Sequence, residues 1–141
     1  MILKAKKLKP DAILPNSAYK GDAGLDLYSA ENKLIRSQER EIIETGIAIE
    51  IPENFVGLIW DRSSLGAKFG LTTLAGVIDS GYRGEIRVVL YNTSETTYQV
   101  RKNDKIAQLL IQAIEPVKIL EVRQLNNSQR GEKTFGSSDK I

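Results

Sequence analysis

The chain has 141 residues, 20 Lys and Arg against 18 Asp and Glu, and neither cysteine nor histidine. That length allows one domain with a real core and not two. A net charge of +2, with the bases dispersed, leaves no electrostatic footprint for nucleic acid. Without cysteine there is no disulfide scaffold, thiol nucleophile or thiolate metal site. Without histidine, the usual general base and the usual zinc ligand are excluded. Acid–base chemistry therefore falls to carboxylates, lysines or tyrosines, and any metal is a hard, oxygen-liking cation such as magnesium. No apolar run approaches the ~18 residues of a membrane span, and the first residues lack a signal peptide's apolar core. The expectation is a soluble, cytoplasmic protein with no membrane or nucleic-acid partner.

Lys4, Lys6, Lys7 and Lys9 punctuate Ile2, Leu3, Ala5 and Leu8, which predicts a first strand with a wet lysine face. Further short β-like runs follow at 25–28, 41–44, 46–51, 56–60, 71–74, 85–91, 98–100, 106–111 and 117–122. Turn signals separate them: Pro10, Pro15-Asn16, Gly21-Asp22, Pro52-Glu53-Asn54, Gly81, Asn92 to Ser94 and Lys102-Asn103-Asp104. Regular short strands without a long amphipathic helix predict an all-β sandwich or barrel. The single helical candidate is residues 63–69, with Ser63 as its cap and Gly70 as its stop. Composition turns polar after Val122, leaving Phe135 as the lone aromatic among Asn, Ser, Gln, Gly and charge. Such a segment reads either as a mobile tail or as a backbone stretch at Gly136 and Ser137 that wraps an anion with Arg130 nearby.

The most informative stretch is Gly-Val-Ile-Asp-Ser-Gly-Tyr-Arg-Gly at 76–84. It reads as a hairpin whose tip carries the Asp79 carboxylate and the Tyr82 ring, returning along the alternating run at 85–91. A carboxylate can hold a water, and a ring can pack on a sugar or base. Taken alone, the segment favours the plainer reading, a turn in which Asp79 bonds its own backbone. Four other segments bear polar groups where an apolar pattern would not place them. Asp26 sits within Ala23-Gly24-Leu25-Asp26-Leu27, where an unpaired charge is costly. Arg62-Ser63-Ser64-Leu65-Gly66 joins a guanidinium, two hydroxyls and a helix start, a good oxyanion arrangement. Gln108 is a single amide in Ile106-Ala107-Gln108-Leu109-Leu110, and Arg130 to Ser138 completes the set.

In order and content these five segments resemble the trimeric dUTP pyrophosphatase (dUTPase) family along nearly the whole chain, from Ala23 to Ser138. The resemblance implies a jelly-roll β fold with one short helix. Residues 1–123 would form the β domain, and 124–141 a flexible C-terminal arm that completes the active site. It also implies a homotrimer with three sites shared between subunits, and hydrolysis of dUTP to dUMP and pyrophosphate with Mg²⁺ on the triphosphate. By the same resemblance Asp79 is the catalytic carboxylate on the attacking water, and Tyr82 the ring under the deoxyribose. Gly76, Val77, Ile78 and Arg87 would meet the uracil edge through their backbone. Arg62, Ser63, Ser64 and Gln108 would bind the α- and β-phosphates, with Thr73 also among the substrate contacts. Asp26 would reach the metal through water. Arg130 would bind the γ-phosphate, Phe135 would cover the uracil, and Gly136 and Ser137 would hold phosphate.

The chain departs from the commonest pattern at Asp61, where Pro or Gly is frequent, at Ser64, and at Glu132-Lys133-Thr134 and Asp139 in the arm. Less glycine implies a stiffer arm. Two rival functions remain at this level. A dCTP deaminase resembles this family in fold and in an Arg-Ser-Ser segment, but uses a returning-strand glutamate where this chain has Val89. The other rival is a non-enzymatic jelly-roll module that merely keeps the site.

Overall fold

The computed structural model describes residues 1–132. Its elements run β1 (Lys4–Lys7), β2 (Leu25–Tyr28), β3 (Lys33–Ile35), β4 (Arg40–Glu50), β5 (Phe55–Trp60), α1 (Ser63–Phe69), β6 (Leu71–Leu74), β7 (Val77–Ile78), β8 (Glu85–Asn92), β9 (Tyr98–Val100) and β10 (Lys105–Ala113). One antiparallel sheet has the order β1-β4-β8-β6 and a second the order β2-β10-β5-β7, with β3 and β9 forming a small third sheet. The fold is the all-β, jelly-roll-like sandwich that the strand spacing and the resemblance predict. Among the described residues no helix is long and apolar enough to cross a membrane.

Alternation builds the core. Ile86, Val88, Leu90 and Asn92 of β8 all turn inward, as a period of two requires. They meet Ile43, Ile47 and Ile49 of β4 and, from the second sheet, Leu27, Ile59, Ile106 and Leu109. All three sheets thus share one apolar interior, since Ile35 and Val100 of the small sheet join the same cluster.

Several sequence expectations need correction. The runs at 41–44 and 46–51 are one strand, β4, whose pairing with β8 shifts register between Glu44 and Ala48. The lysines of the first strand are exposed as expected, but the strand is shorter than the 2–8 run: the four residues of β1 are exposed on the sheet's edge, and of the run's apolar residues Leu3 packs against the core while Ile2, Ala5 and Leu8 stay exposed. Residues 117–122 form no strand, and Val117, Ile119 and Leu120 are exposed, because alternation supplies a pattern but not a partner. The stretch at 76–84 is no two-stranded hairpin. β7 pairs with β5 in one sheet and β8 with β4 and β6 in the other, so the loop crosses between sheets. Strands β3 and β7 were too short to read from pattern.

The helix is where it was expected, but its cap is Arg62, extended at φ −88° and ψ 125° and making no side-chain cap bond. Ser63 is the first helical residue. Gly70 ends the helix in the left-handed conformation at φ 66°, as predicted. Behind it, the fully buried Asn92 holds the junction: its amide donates to the carbonyls of Ile35 (3.0 Å) and Thr96 (2.7 Å). Its side-chain oxygen accepts from the Ser94 N–H (3.0 Å) and hydroxyl (2.7 Å). Thr93 N–H and hydroxyl then cap the Gly70 carbonyl. Replacing Asn92 with Ala strands these buried groups, and urea denaturation is expected to show a loss of about 2–4 kcal/mol.

Candidate active site

The register of β10 assembles the site. Gln108 lies opposite Asp26 of β2 on one side and opposite Trp60, the last residue of β5, on the other. The chain leaves β5 directly into Asp61-Arg62-Ser63-Ser64, so three sequence-distant segments meet around Gln108. They enclose a cavity of about 350 Å³ lined by Ala18, Asp22, Ala23, Gly24, Asp26, Arg62, Ser63, Ser64 and Gln108.

Asp26 is buried and carries two cations. Its Oδ1 accepts from Arg62 Nε at 3.0 Å, and its Oδ2 faces Lys105 Nζ at 2.7 Å. The first pair uses Nε, so it fixes the guanidinium plane while the terminal N–H groups stay available to an anion. The hydrogen bond that Lys105 donates to Asp26, reinforced by the carboxylate's charge, raises the Lys105 ammonium above its usual range. Lys105 also lies 5.9 Å from the centroid of the Tyr28 ring. Gln108 donates one amide N–H to the Asp61 carbonyl at 2.7 Å, which leaves the other free to meet a ligand. Its amide oxygen lies so close over Gly24 that a Cβ there would collide with it.

Asp61 closes the opposite side. Its Oδ1 accepts from the Thr73 N–H (2.6 Å) and hydroxyl (2.7 Å), and its Oδ2 from the Thr72 hydroxyl (2.8 Å). Burial pushes the Asp61 carboxyl up, but the Thr73 hydroxyl, Thr73 N–H and Thr72 hydroxyl together outweigh it and hold it below its usual range. Both donors of Thr73 are thereby engaged by Asp61. Thr73 lines a separate cavity of about 260 Å³ with Ile59, Trp60, Asp61, Thr72 and Ala75 rather than the one around Gln108.

None of residues 76–84 lines the larger cavity. Their loop is anchored at one end by Gly76, whose carbonyl accepts from Ile59 N–H at 2.8 Å. At φ 124°, and with a Cβ position only 2.8 Å from the Ile59 carbonyl oxygen, position 76 accepts only glycine without strain. Ala75 before it holds φ 65°, a conformation costing an L-residue on the order of 1 kcal/mol. Asp79 closes the turn with its carbonyl, which accepts from Tyr82 N–H at 3.0 Å. Its carboxylate is exposed and unpaired among the described residues, so the reading of a side chain folded onto its own backbone does not hold. Tyr82 donates from its hydroxyl to the Glu85 carbonyl at 2.9 Å and lies across Gly84, where a Cβ would strike the ring. Val77, at the edge of the second sheet, is 67% exposed. Arg87 on β8 pairs with Glu85 at 3.4 Å.

The structure therefore unites Asp26, Arg62, Ser63, Ser64 and Gln108, and sets Gly76, Val77, Ile78, Asp79, Tyr82 and Arg87 apart from them. Arg130 lies beyond β10 in a turn that the Gly131 N–H closes onto the Ser128 carbonyl at 3.1 Å, and Phe135, Gly136 and Ser137 lie outside the described residues. Sequence reading missed Lys105, whose only signal is a charge opening an apolar strand, and the lining residues Ala18 and Asp22. It noted Asp61 only as a departure from pattern.

The fold is that of a β protein whose open cavity gathers a guanidinium, two serines and an amide beside the carboxylates of Asp22 and Asp26, a donor set that suits an oxyanion. Comparison with known proteins identifies its family. The dUTPase family profile matches residues 10–139. The deoxyuridine 5′-triphosphate nucleotidohydrolase of Clostridium tetani is 50% identical over 98% of this chain and 97% of its own. Among solved structures, the Staphylococcus bacteriophage 80alpha dUTPase with dUpNHpp superposes at a TM-score of 0.92 with 33% identity, covering 97% of this chain and 98% of that one. A variant of the dUTPase of phage phi11 of S. aureus, in which a structural Mg(II) ion is coordinated, matches at a TM-score of 0.84 and 29% identity over 90% of this chain and all of that one. The chain belongs to the dUTPase family.

The depressed Asp61 carboxyl carries a pH signature. Between its folded value and the ~3.9 of a free aspartate, the unfolded chain binds a proton that the folded chain does not, so this contribution to stability rises with pH. It is present in full above the unfolded value and fades as pH falls through the folded one. Urea midpoints between about pH 3 and 5 are expected to fall less steeply on acidification in D61N than in the unaltered chain.

Proposed function

We propose that this chain hydrolyses dUTP to dUMP and pyrophosphate by water attack on the α-phosphorus, which lowers dUTP and supplies dUMP for thymidylate synthesis. The observation that carries the reading is the convergence of Arg62, Ser63, Ser64 and Gln108 on one cavity, in a chain whose family is dUTPase. These groups neutralise and orient the α- and β-phosphates, and positioning with charge stabilisation supplies most of the rate in such transfers. Asp79, exposed and unpaired among the described residues, orients and deprotonates the attacking water. Tyr82, fixed by its bond to Glu85, packs beneath the deoxyribose and leaves no room for a 2′-hydroxyl. Main-chain groups at Gly76, Val77, Ile78 and Arg87 read the uracil edge. Thr73, already bonded to Asp61, supports the site rather than entering it. Residues 1–123 act as the catalytic body. Residues 124–141 act as the arm, with Arg130 on the γ-phosphate and Phe135, Gly136 and Ser137 closing over the nucleotide.

The carboxylates of the cavity do not by themselves form a Mg²⁺ site. Among the described residues there is no cluster of three acidic side chains, and of the two carboxylates lining the cavity Asp26 already faces two cations while Asp22 accepts from the Tyr19 N–H at 2.9 Å. Such a site does not cage a metal, but it fits an ion that arrives on the triphosphate with most of its ligands from phosphate and water. Asp26 would then contact it through water. When bound, Mg²⁺ supplies charge neutralisation across the phosphates.

The assembly is proposed to be a homotrimer. Within one chain the Asp79 loop does not line the phosphate cavity, and a second subunit would bring the two together. Exposed Val117 (77%), Ile119 (91%) and Leu120 (81%) lie on an extended segment suited to lying against a neighbour. Sedimentation equilibrium is expected to give three times the chain mass, and a monomer at assay concentration would sink this arrangement.

Among rivals, deamination lacks its proton shuttle because Val89 fills that position. A panel of dUTP, dTTP, dCTP and UTP with Mg²⁺ should release pyrophosphate from dUTP and no ammonia from dCTP. D79N is expected to lower turnover by about 10²–10⁴. Equal slow rates in D79N and the unaltered protein would favour a module that only binds.

A further inference from the structure

We propose that Asp61 is a positioning residue that fixes where the phosphate-binding segment presents its donors. Asp61 occupies the single link between the end of β5 and the cap of α1, so any freedom in it passes directly to Arg62 and the serines. Three hydrogen bonds of 2.6 to 2.8 Å bind its carboxylate to Thr72 and Thr73 of β6. β6 belongs to one sheet, whereas β5 and β10 belong to the other. The carboxylate thus stitches the two sheets at the point where the site begins.

The same residue also acts through its backbone. Its carbonyl accepts from Gln108 Nε2 at 2.7 Å, so one hinge sets both the loop and the amide on the facing strand. A carboxylate suits this task because it accepts three donors at once, and its charge shortens each bond. Asp61 itself does not line the cavity, so it acts through its neighbours and not on substrate.

This inference rests on the proposal that Arg62, Ser63, Ser64 and Gln108 hold phosphate, and the experiment separates the two. Titration calorimetry of the full chain compares dUpNHpp, which carries the whole polyphosphate, with deoxyuridine, which carries no phosphate. D61A is expected to bind dUpNHpp about tenfold or more weakly while its deoxyuridine affinity shifts less than about twofold, since charged hydrogen bonds of this kind are worth that much. Steady-state dUTP hydrolysis should show the loss chiefly in KM. D61N keeps one oxygen acceptor for Thr73 and is expected to recover most of the affinity. T72V, which removes a single partner, should shift the ratio the same way by a smaller factor and serves if D61A fails to fold. A folded D61A or T72V whose dUpNHpp and deoxyuridine affinities stay unchanged, or fall in parallel, overturns the positioning role. An unaltered protein that neither binds dUpNHpp nor hydrolyses dUTP overturns the functional reading instead, and this inference with it.

Discussion

The placement of Gln108 on β10 is the constraint on which the site depends. The strand is paired on both sides, so its register is set twice, by Asp26 on β2 and by Trp60 on β5. A slip of one residue would turn Gln108 into the core and a leucine into the cavity, because strand faces alternate. The buried Ile106, Ala107 and Leu109 around it oppose such a slip. Hydrophobic burial, which is unspecific by itself, thus becomes the agent that aligns three polar segments.

Within that frame three aspartates do different work, and their surroundings decide which. Asp26 is buried between Arg62 and Lys105, so its charge is spent on orienting cations. Asp61 is half-buried among hydroxyl and amide donors and holds a loop in place. Asp79 stands exposed at a turn with no partner for its carboxylate among the described residues. Only the last is free to act on a water, which fits the role proposed for it. A chain without histidine or cysteine manages this division of labour with one side-chain type.

Much of this was legible in the residues. A strand with clear alternation, such as β8, was readable because its burial on one face has a period of two. Polar intrusions at Asp26 and Gln108 marked the site, since such groups are costly unless they serve a structure or a ligand. What pattern could not convey was partnership. The loop at 76–84 looked like a hairpin because its flanks have strand character, yet each flank pairs with a different sheet. The run at 117–122 has the alternation of a strand and no ladder in this chain. Asp61 bonds to threonines on another sheet, a tertiary contact that no local motif announces. Ser63 looked like the cap because of its residue type, whereas the backbone turns helical one residue earlier.

The edge position of β7 has a consequence for how selectivity can change over generations. Its two residues pair with β5 on one side only, so the other side presents main-chain groups outward. Under the proposed reading, a pyrimidine held there would be matched as though it were another strand, by groups that every amino acid possesses. Drift in the side chains of Val77 or Ile78 leaves such a reader intact, and only the glycine at 76 is sterically committed. Base preference built this way is buffered against point mutation, and redirecting it calls for a change in loop length or path.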